Sequence, residues 1–293
     1  MKIEIKSEEK GKKEEDAIRE GAKKIRIIKV IPPAPINFGN RGITITFGEG
    51  AENHIGNQKI EIEKGKIREA FTFDELLNIS TNLNESGIFC EFVNLRNCLH
   101  PMYYTKAPDA GVLIIRGVIN KYSNGRKIWE EISSLNYDKK AFMYGKLKNK
   151  HARHNLCFAD FSQEPKYEEK KGTIINFSSV PELEKVRKVL PKILGQKADN
   201  LLGEANDYYD LNTCGIGYHG DKERKIVVGL RLGASFPLCF KWKLGKECIS
   251  QKLEFTFSHG DIYVLDGKAS GNNCLLKTIP ILKHSAGCKK YTN

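Results

Sequence analysis

Beyond residue 225 the sequence is a succession of short apolar segments at 226–232, 238–242, 253–257, 262–265 and 275–284, punctuated by glycines at Gly233, Gly245, Gly260 and Gly271. Segments of this length, bounded by turn residues, read as successive β-strands, and their close spacing fits a barrel or a sandwich. Whatever chemistry the chain performs is therefore expected on a small-strand scaffold.

Two short motifs bracket that scaffold. Gly215-Ile216-Gly217-Tyr218-His219-Gly220-Asp221 precedes it, and Lys283-His284-Ser285 closes it. Together they supply two histidines and one carboxylate, the 2-His-1-carboxylate set that holds non-haem Fe(II) and leaves coordination positions open. His219 and Asp221, two apart on an extended segment, point to one side and offer two adjacent ligands. His284 lies 65 residues downstream, far enough for several antiparallel strands to pass before the chain returns. A second copy, His259-Gly260-Asp261, leads directly into the apolar run Ile262-Tyr263-Val264-Leu265. It reads as the turn entering a strand, with His259 in a structural role.

Charge points to the partner. Lys and Arg number 48 against 36 Asp and Glu, a formal net charge of +12, and such a balance favours polyanions, whose phosphates release counterions when neutralised. The strongest basic stretch of the catalytic region, Lys146 to His154, lies beside Phe142, Tyr144 and Phe158. Cations for phosphates and aromatics for an extruded base are what nucleic acid requires, which makes Tyr144, Lys146 and Arg153 the expected substrate contacts. The eight cysteines are scattered without a CxxC pair, and residues 1–15 are highly charged with no apolar core. Free thiols in an intracellular protein, in cytoplasm or nucleus, are expected. No run approaches the ~20 apolar residues of a membrane span, and a monomer is favoured.

The chain divides into parts. Residues 1–23, mostly Lys, Glu, Gly and Ser, are expected to be a disordered tail. Residues 24–95 read as a small α+β accessory module: strands at 25–31, 43–47 and 90–95, and a helix starting at Phe73 with Thr72 as N-cap. Residues 96–110 read as a linker and 111–293 as the catalytic domain. Within the latter, a helix at 180–190 is expected to be capped by Ser178 or Ser179 with Pro181 in its first turn, followed by a second helix at 197–205.

In the stretch from about Gly111 to Lys290 the sequence resembles AlkB-like 2-oxoglutarate-dependent Fe(II) dioxygenases. The resemblance rests on an ordered series: Gly111-Val112-Leu113-Ile114-Ile115-Arg116, Trp129-Glu130-Glu131-Ile132, Met143-Tyr144-Gly145-Lys146, Phe158-Ala159-Asp160, Asp207-Tyr208-Tyr209, His219-Gly220-Asp221, Leu230-Arg231-Leu232-Gly233 and His284-Ser285. It implies an α+β fold: a double-stranded β-helix (jelly-roll) catalytic domain with buttressing helices, here preceded by the small module. It also implies Fe(II) on His219, Asp221 and His284, with 2-oxoglutarate as co-substrate, O₂, and oxidation, in the family demethylation, of a modified base in DNA or RNA. Tyr209 corresponds to the tyrosine that holds 2-oxoglutarate. Asp207 stands where relatives carry Asn and is expected to point elsewhere. The Arg that relatives carry past the distal histidine has no counterpart; Lys289 and Lys290 are the cations there, and a short last strand would bring Lys290 into the barrel. Arg231, on an inner-strand candidate, is the alternative anchor. Hydroxylation of an intact nucleobase or of a protein side chain, and a non-catalytic nucleic-acid-binding protein with a vestigial barrel, remain as other readings.

Overall fold

The computed structural model describes residues 36–56, 58–62 and 68–293; the tail expected over 1–23 and the strand expected over 25–31 lie outside them. Along the chain come β1 (Gly42–Gly48), β2 (Gly50–Asn53), β3 (Gln58–Glu61), α1 (Phe73–Glu85), β4 (Cys90–Asn94) and β5 (Gly111–Ile115). There follow α2 (Ile119–Tyr122), α3 (Gly125–Ser133), β6 (Lys140–Met143), β7 (Lys146–Asn149), β8 (His154–Ala159), β9 (Ile174–Asn176) and α4 (Pro181–Leu194). The last part holds β10 (Leu202–Tyr208), β11 (Gly215–His219), β12 (Val227–Gly233), β13 (Phe236–Leu244), β14 (Glu247–Cys248), β15 (Leu253–Phe257), β16 (Ile262–Leu265), β17 (Ile281–Gly287) and α5 (Lys289–Thr292).

The result is a mixed α+β fold, rich in sheet. A large sheet has the order β4-β5-β16-β12-β1-β10-β8-β9, and a smaller one the order β11-β17-β13-β14, with β15 also on β13. All pairings of the large sheet are antiparallel except that of β8 with β9. Side-chain alternation along each strand divides two cores. On β1, Ile43, Ile45 and Phe47 join Leu76 of α1, Ile128 of α3 and Leu183 of α4 on the outer face. Fully burying each such side chain stabilises the fold by roughly 1.5–3 kcal/mol. The opposite face of the large sheet, through Val112, Val227, Tyr263 and Leu265, packs on Leu238, Phe240, Trp242 and Leu282 of the small sheet. The layers therefore run helices, large sheet, small sheet.

This arrangement overturns the expected separate module. Residues 38–293 form one compact unit, and β1, assigned by sequence to residues outside the catalytic domain, lies between β10 and β12 in the large sheet. β4 likewise pairs with β5. A strand buried on both faces requires partners from far along the chain, and no local pattern announces them. The expected linker is also part of the core: Leu99, Ala107 and Ala110 are buried between the sheets, beside Leu95, whose carbonyl accepts from Trp242 Nε1 at 2.9 Å.

Helix α1 begins as read, with Thr72 and Glu75 in a reciprocal capping box. Helix α4 differs. Neither Ser178 nor Ser179 caps it; the Glu131 carboxylate of α3 accepts the N–H groups of Glu182 and Leu183, both at 3.0 Å. The second helix expected at 197–205 is a single 3₁₀ turn, Gln196–Ala198, followed by β10. Its period-two pattern was hidden because Glu204 and Asn206 are polar residues facing inward. The last expected strand starts only at Ile281; the turns before it are organised by Asp266, whose carboxylate accepts N–H bonds from Gly111, Lys268 and Ala269. All eight cysteines are free thiols, and among the described residues no helix is long and apolar enough to cross a membrane.

Candidate metal centre

Strand β11 ends at His219, and its register with β17 sets His219 opposite His284. The two rings meet edge-on with centroids 4.4 Å apart. Asp221, just past the strand end, is pinned by its N–H to the Ser270 carbonyl at 2.8 Å. Its Oδ1 lies 3.6 Å from His219 Nε2 and 3.7 Å from His284 Nε2. One ligand atom from each residue falls within 4.8 Å of the others. Two ligands about 2 Å from one ion and at right angles lie roughly 3 Å apart, closer than these atoms stand.

Gly220 makes the geometry feasible. A Cβ there would lie 2.7 Å from both Cys274 Cβ and the Gly271 carbonyl oxygen, so only glycine lets the turn-rich segment press against the two ligands it joins.

Protonation also suits a cation. Burial, aided by the neighbouring His284, lowers His219 to about 4, so its ring is neutral at pH 7. Its Nδ1 pairs with the Gly217 carbonyl at 2.8 Å, which puts the proton on Nδ1 and leaves the Nε2 lone pair toward Asp221. Burial pushes Asp221 up, but His284 and then His219 outweigh it and hold the carboxyl at about 2. Neutral imidazole beside carboxylate is the state that ligates a divalent ion. His284 Nδ1 is buried without a partner among the described residues. The donor set fits a first-row divalent metal.

The second His-Gly-Asp copy does something else. His259 Nδ1 accepts from the Gly233 N–H at 3.1 Å, and its Nε2 pairs with the Gly125 carbonyl at 3.0 Å. Asp261 accepts from Gly117, Ser258 and Arg116. Both residues tie turns together, as the sequence reading held for His259.

Around the triad, a cavity of about 130 Å³ opens between the sheets. Register supplies its floor in rows: Asn206, Thr44 and Arg231 are neighbours across β10, β1 and β12, as are Glu204, Thr46 and Gly229. Gly229 is bare because the Tyr263 ring lies on it, where a Cβ would sit 2.0 Å from Cζ. Glu204 pairs with Arg224 and accepts from His54 Nε2 at 2.9 Å and Asn206 Nδ2 at 3.1 Å. Burial raises this carboxyl, but Arg224 and His54 together hold it well below the usual range. Asn206 Oδ1 in turn accepts from Arg153 Nε at 2.6 Å.

Of the residues read from sequence, the cavity gathers His219, Asp221, His284, Arg231 and Arg153. Tyr209 is not among them. It follows the end of β10, donates its hydroxyl to the His151 carbonyl and stacks on His154 at 4.3 Å. Strand parity instead turns Glu204, Asn206 and Tyr208 inward. The same parity sends Asp207 away from the cavity, to Arg41 Nε at 2.7 Å, as expected. Lys289 and Lys290 also miss. In place of a last strand the chain forms the single-turn helix α5, whose two lysines are exposed on its surface. Tyr144 and Lys146 lie outside the cavity, on the exposed β6–β7 hairpin. Sequence reading missed Thr44, Glu204, Asn206, Tyr208, Arg224 and His54. The alternation Ile43-Thr44-Ile45-Thr46-Phe47 was the one available signal, since it places two hydroxyls on one face of an otherwise apolar strand.

The hairpin stands beside the cavity. The Phe142 N–H donates to the Ile55 carbonyl at 2.6 Å, next to His54. At its tip, Tyr144 and Gly145 both have positive φ, 52° and 74°, and Tyr144 is 90% exposed. Lys140, Lys146 and Lys148 are exposed around it.

No family model matches the sequence. Over 250 residues, covering 85% of this chain and 96% of its counterpart, the sequence is 36% identical to an uncharacterized protein of Acanthamoeba polyphaga mimivirus.

Proposed function

The chain belongs to the family of that mimivirus protein, and from the chemistry of its pocket we propose that it is an Fe(II)- and 2-oxoglutarate-dependent dioxygenase of AlkB-like type acting on a modified base in DNA or RNA. The observation that carries this reading is the grouping of His219, Asp221 and His284 at a cavity wall, with one ligand atom of each within 4.8 Å of the others. The proposal includes the fold: β10-β1-β12-β16 facing β11-β17-β13-β15 across a shared core supports a double-stranded β-helix.

Bound iron with 2-oxoglutarate would supply O₂ activation, one oxygen atom entering succinate as CO₂ leaves and the other hydroxylating a substrate C–H; an N-methyl group so hydroxylated departs as formaldehyde. The chain's own residues do the rest. His219, Asp221 and His284 would hold the ion and leave coordination positions open to ligands. The Gly217 carbonyl fixes the His219 tautomer. Leu238, Val227 and Leu265 form an apolar wall that excludes water. The lysines of the β6–β7 hairpin neutralise backbone phosphates and Tyr144 offers a ring to a base.

Anaerobic Fe(II) titration with and without 2-oxoglutarate tests the reading, through the weak visible charge-transfer band of the iron-bound co-substrate. The band is expected only with both present. Iron binding without the band would overturn it, and formaldehyde release from methylated oligonucleotides would then extend a positive result to substrate.

A further inference from the structure

Arg231 is only 1% exposed and carries no ion pair among the described residues. Its Nη1 donates to Thr44 Oγ1 at 2.6 Å, while Nε and Nη2 are shielded from solvent and unpartnered. Its guanidinium lies over the Phe236 ring, 3.7 Å from the centroid, with the Tyr263 ring at 5.6 Å. Arg224, in the same cavity, has both Glu204 and Glu223 as partners. Burying a cation without a counter-charge is strongly unfavourable, so an arginine kept this way is explained by an anion that arrives later.

Resting on the dioxygenase reading above, we infer that Arg231, oriented by Thr44, is the anchor for the far carboxylate of a dicarboxylate co-substrate. The free donors define the ligand. Nε and Nη2 share one edge of the guanidinium, and that edge matches the two oxygens of a carboxylate in a bidentate pair. The aromatic rings fix the plane of the fork, so little freedom is lost when the anion binds. Strand β1 thereby completes the site from the N-terminal side, while Lys289 and Lys290 lie on the surface of α5.

Equilibrium binding to the anaerobic Fe(II) protein, followed calorimetrically, tests this with 2-oxoglutarate and with pyruvate, a 2-oxo acid that lacks the second carboxylate. The wild type is expected to prefer 2-oxoglutarate. Arg231→Gln is expected to lose about 100-fold in affinity for it, to change little toward pyruvate, and to bind iron as before. Arg231→Lys, which keeps the charge without the fork, is expected to fall between and gives a second variant if Gln does not fold. Unchanged preference for 2-oxoglutarate in both variants would overturn the anchor and leave the dioxygenase reading standing. If the wild type binds iron and succinate in an Arg231-dependent way but never 2-oxoglutarate, the anchor stands and the dioxygenase reading falls. If it binds no dicarboxylate at all, the anchor falls.

Discussion

Arg231 donates to Thr44 across a chain separation of 187 residues, linking the strand after the His219-Gly220-Asp221 segment to the first strand of the described fold. The hydrogen bond satisfies only one of the guanidinium's nitrogens in the cavity; Nε and Nη2 have no partner among the described residues. Stability and function therefore pull this residue in opposite directions.

Replacing Arg231 by Met should leave the ligand-free protein as stable as wild type or up to about 1–4 kcal/mol more stable, because an uncompensated buried charge is removed. Thr44→Val should instead cost about 1–3 kcal/mol by orphaning Nη1. That cost should vanish when Arg231→Met is already present. Denaturant unfolding of the four proteins in this cycle decides it; a large loss on Arg231→Met alone would mark the arginine as structural.

Metal should stabilise the fold through the three ligands. A divalent ion at 100 times its dissociation constant adds about 2.7 kcal/mol, which for a unit of this size corresponds to roughly a 5–10 °C rise in melting temperature. Asp221→Ala and His284→Ala should each abolish the rise while leaving a folded protein. Thermal scans with and without Mn(II) as a redox-inert probe measure it.

Gly220→Ala removes none of the three candidate ligands yet should weaken metal binding. The new methyl meets Cys274 and Gly271 at 2.7 Å, so either the ligand turn or the facing segment must shift, at a cost of about 1–3 kcal/mol. Wild-type metal affinity in this variant would show that the close approach does not set the ligand geometry.

Asp266 gives a pH signature outside the site. Burial, partly offset by N–H bonds from Ala269, Gly111 and Lys268, raises its carboxyl to about 6. The folded state thus keeps a proton that the unfolded chain, with a pKa near ~4, has released. Its stabilising effect is complete below about pH 4 and is lost as pH rises through about 6, by roughly 3 kcal/mol. Asp266→Asn should flatten unfolding free energy across that window; an unchanged slope would assign the dependence elsewhere.

Binding of oligonucleotides should separate phosphate contacts from stacking. Lys146→Ala and Lys148→Ala should each reduce the slope of log affinity against log salt by about 1. Tyr144→Ala should cost about 1–3 kcal/mol toward single strands with the slope preserved. Fluorescence anisotropy over a salt series reads both quantities.

Sequence alone picked out His219, Asp221 and His284, the three side chains that the fold brings together, because each lies in a short, distinctive motif. It also located β15 and β16 to the residue and the glycines at which the chain reverses, since turns with positive φ, as at Gly233 and Gly260, leave a local mark. It did not determine what lies across from the triad. Whether Tyr208 or Tyr209 faces the cavity depends on the parity of β10, which is set by its pairing with β1 and β8. β1 itself looked like part of another module, for nothing within its seven residues specifies partners more than 150 positions away. Arg231 gained its meaning only when folding placed it beside Thr44, buried it and withheld a counter-ion. Local chemistry is written in local residues, whereas the pairing of distant strands, and the choice of which side chains share a cavity, is decided by the burial of the whole sheet.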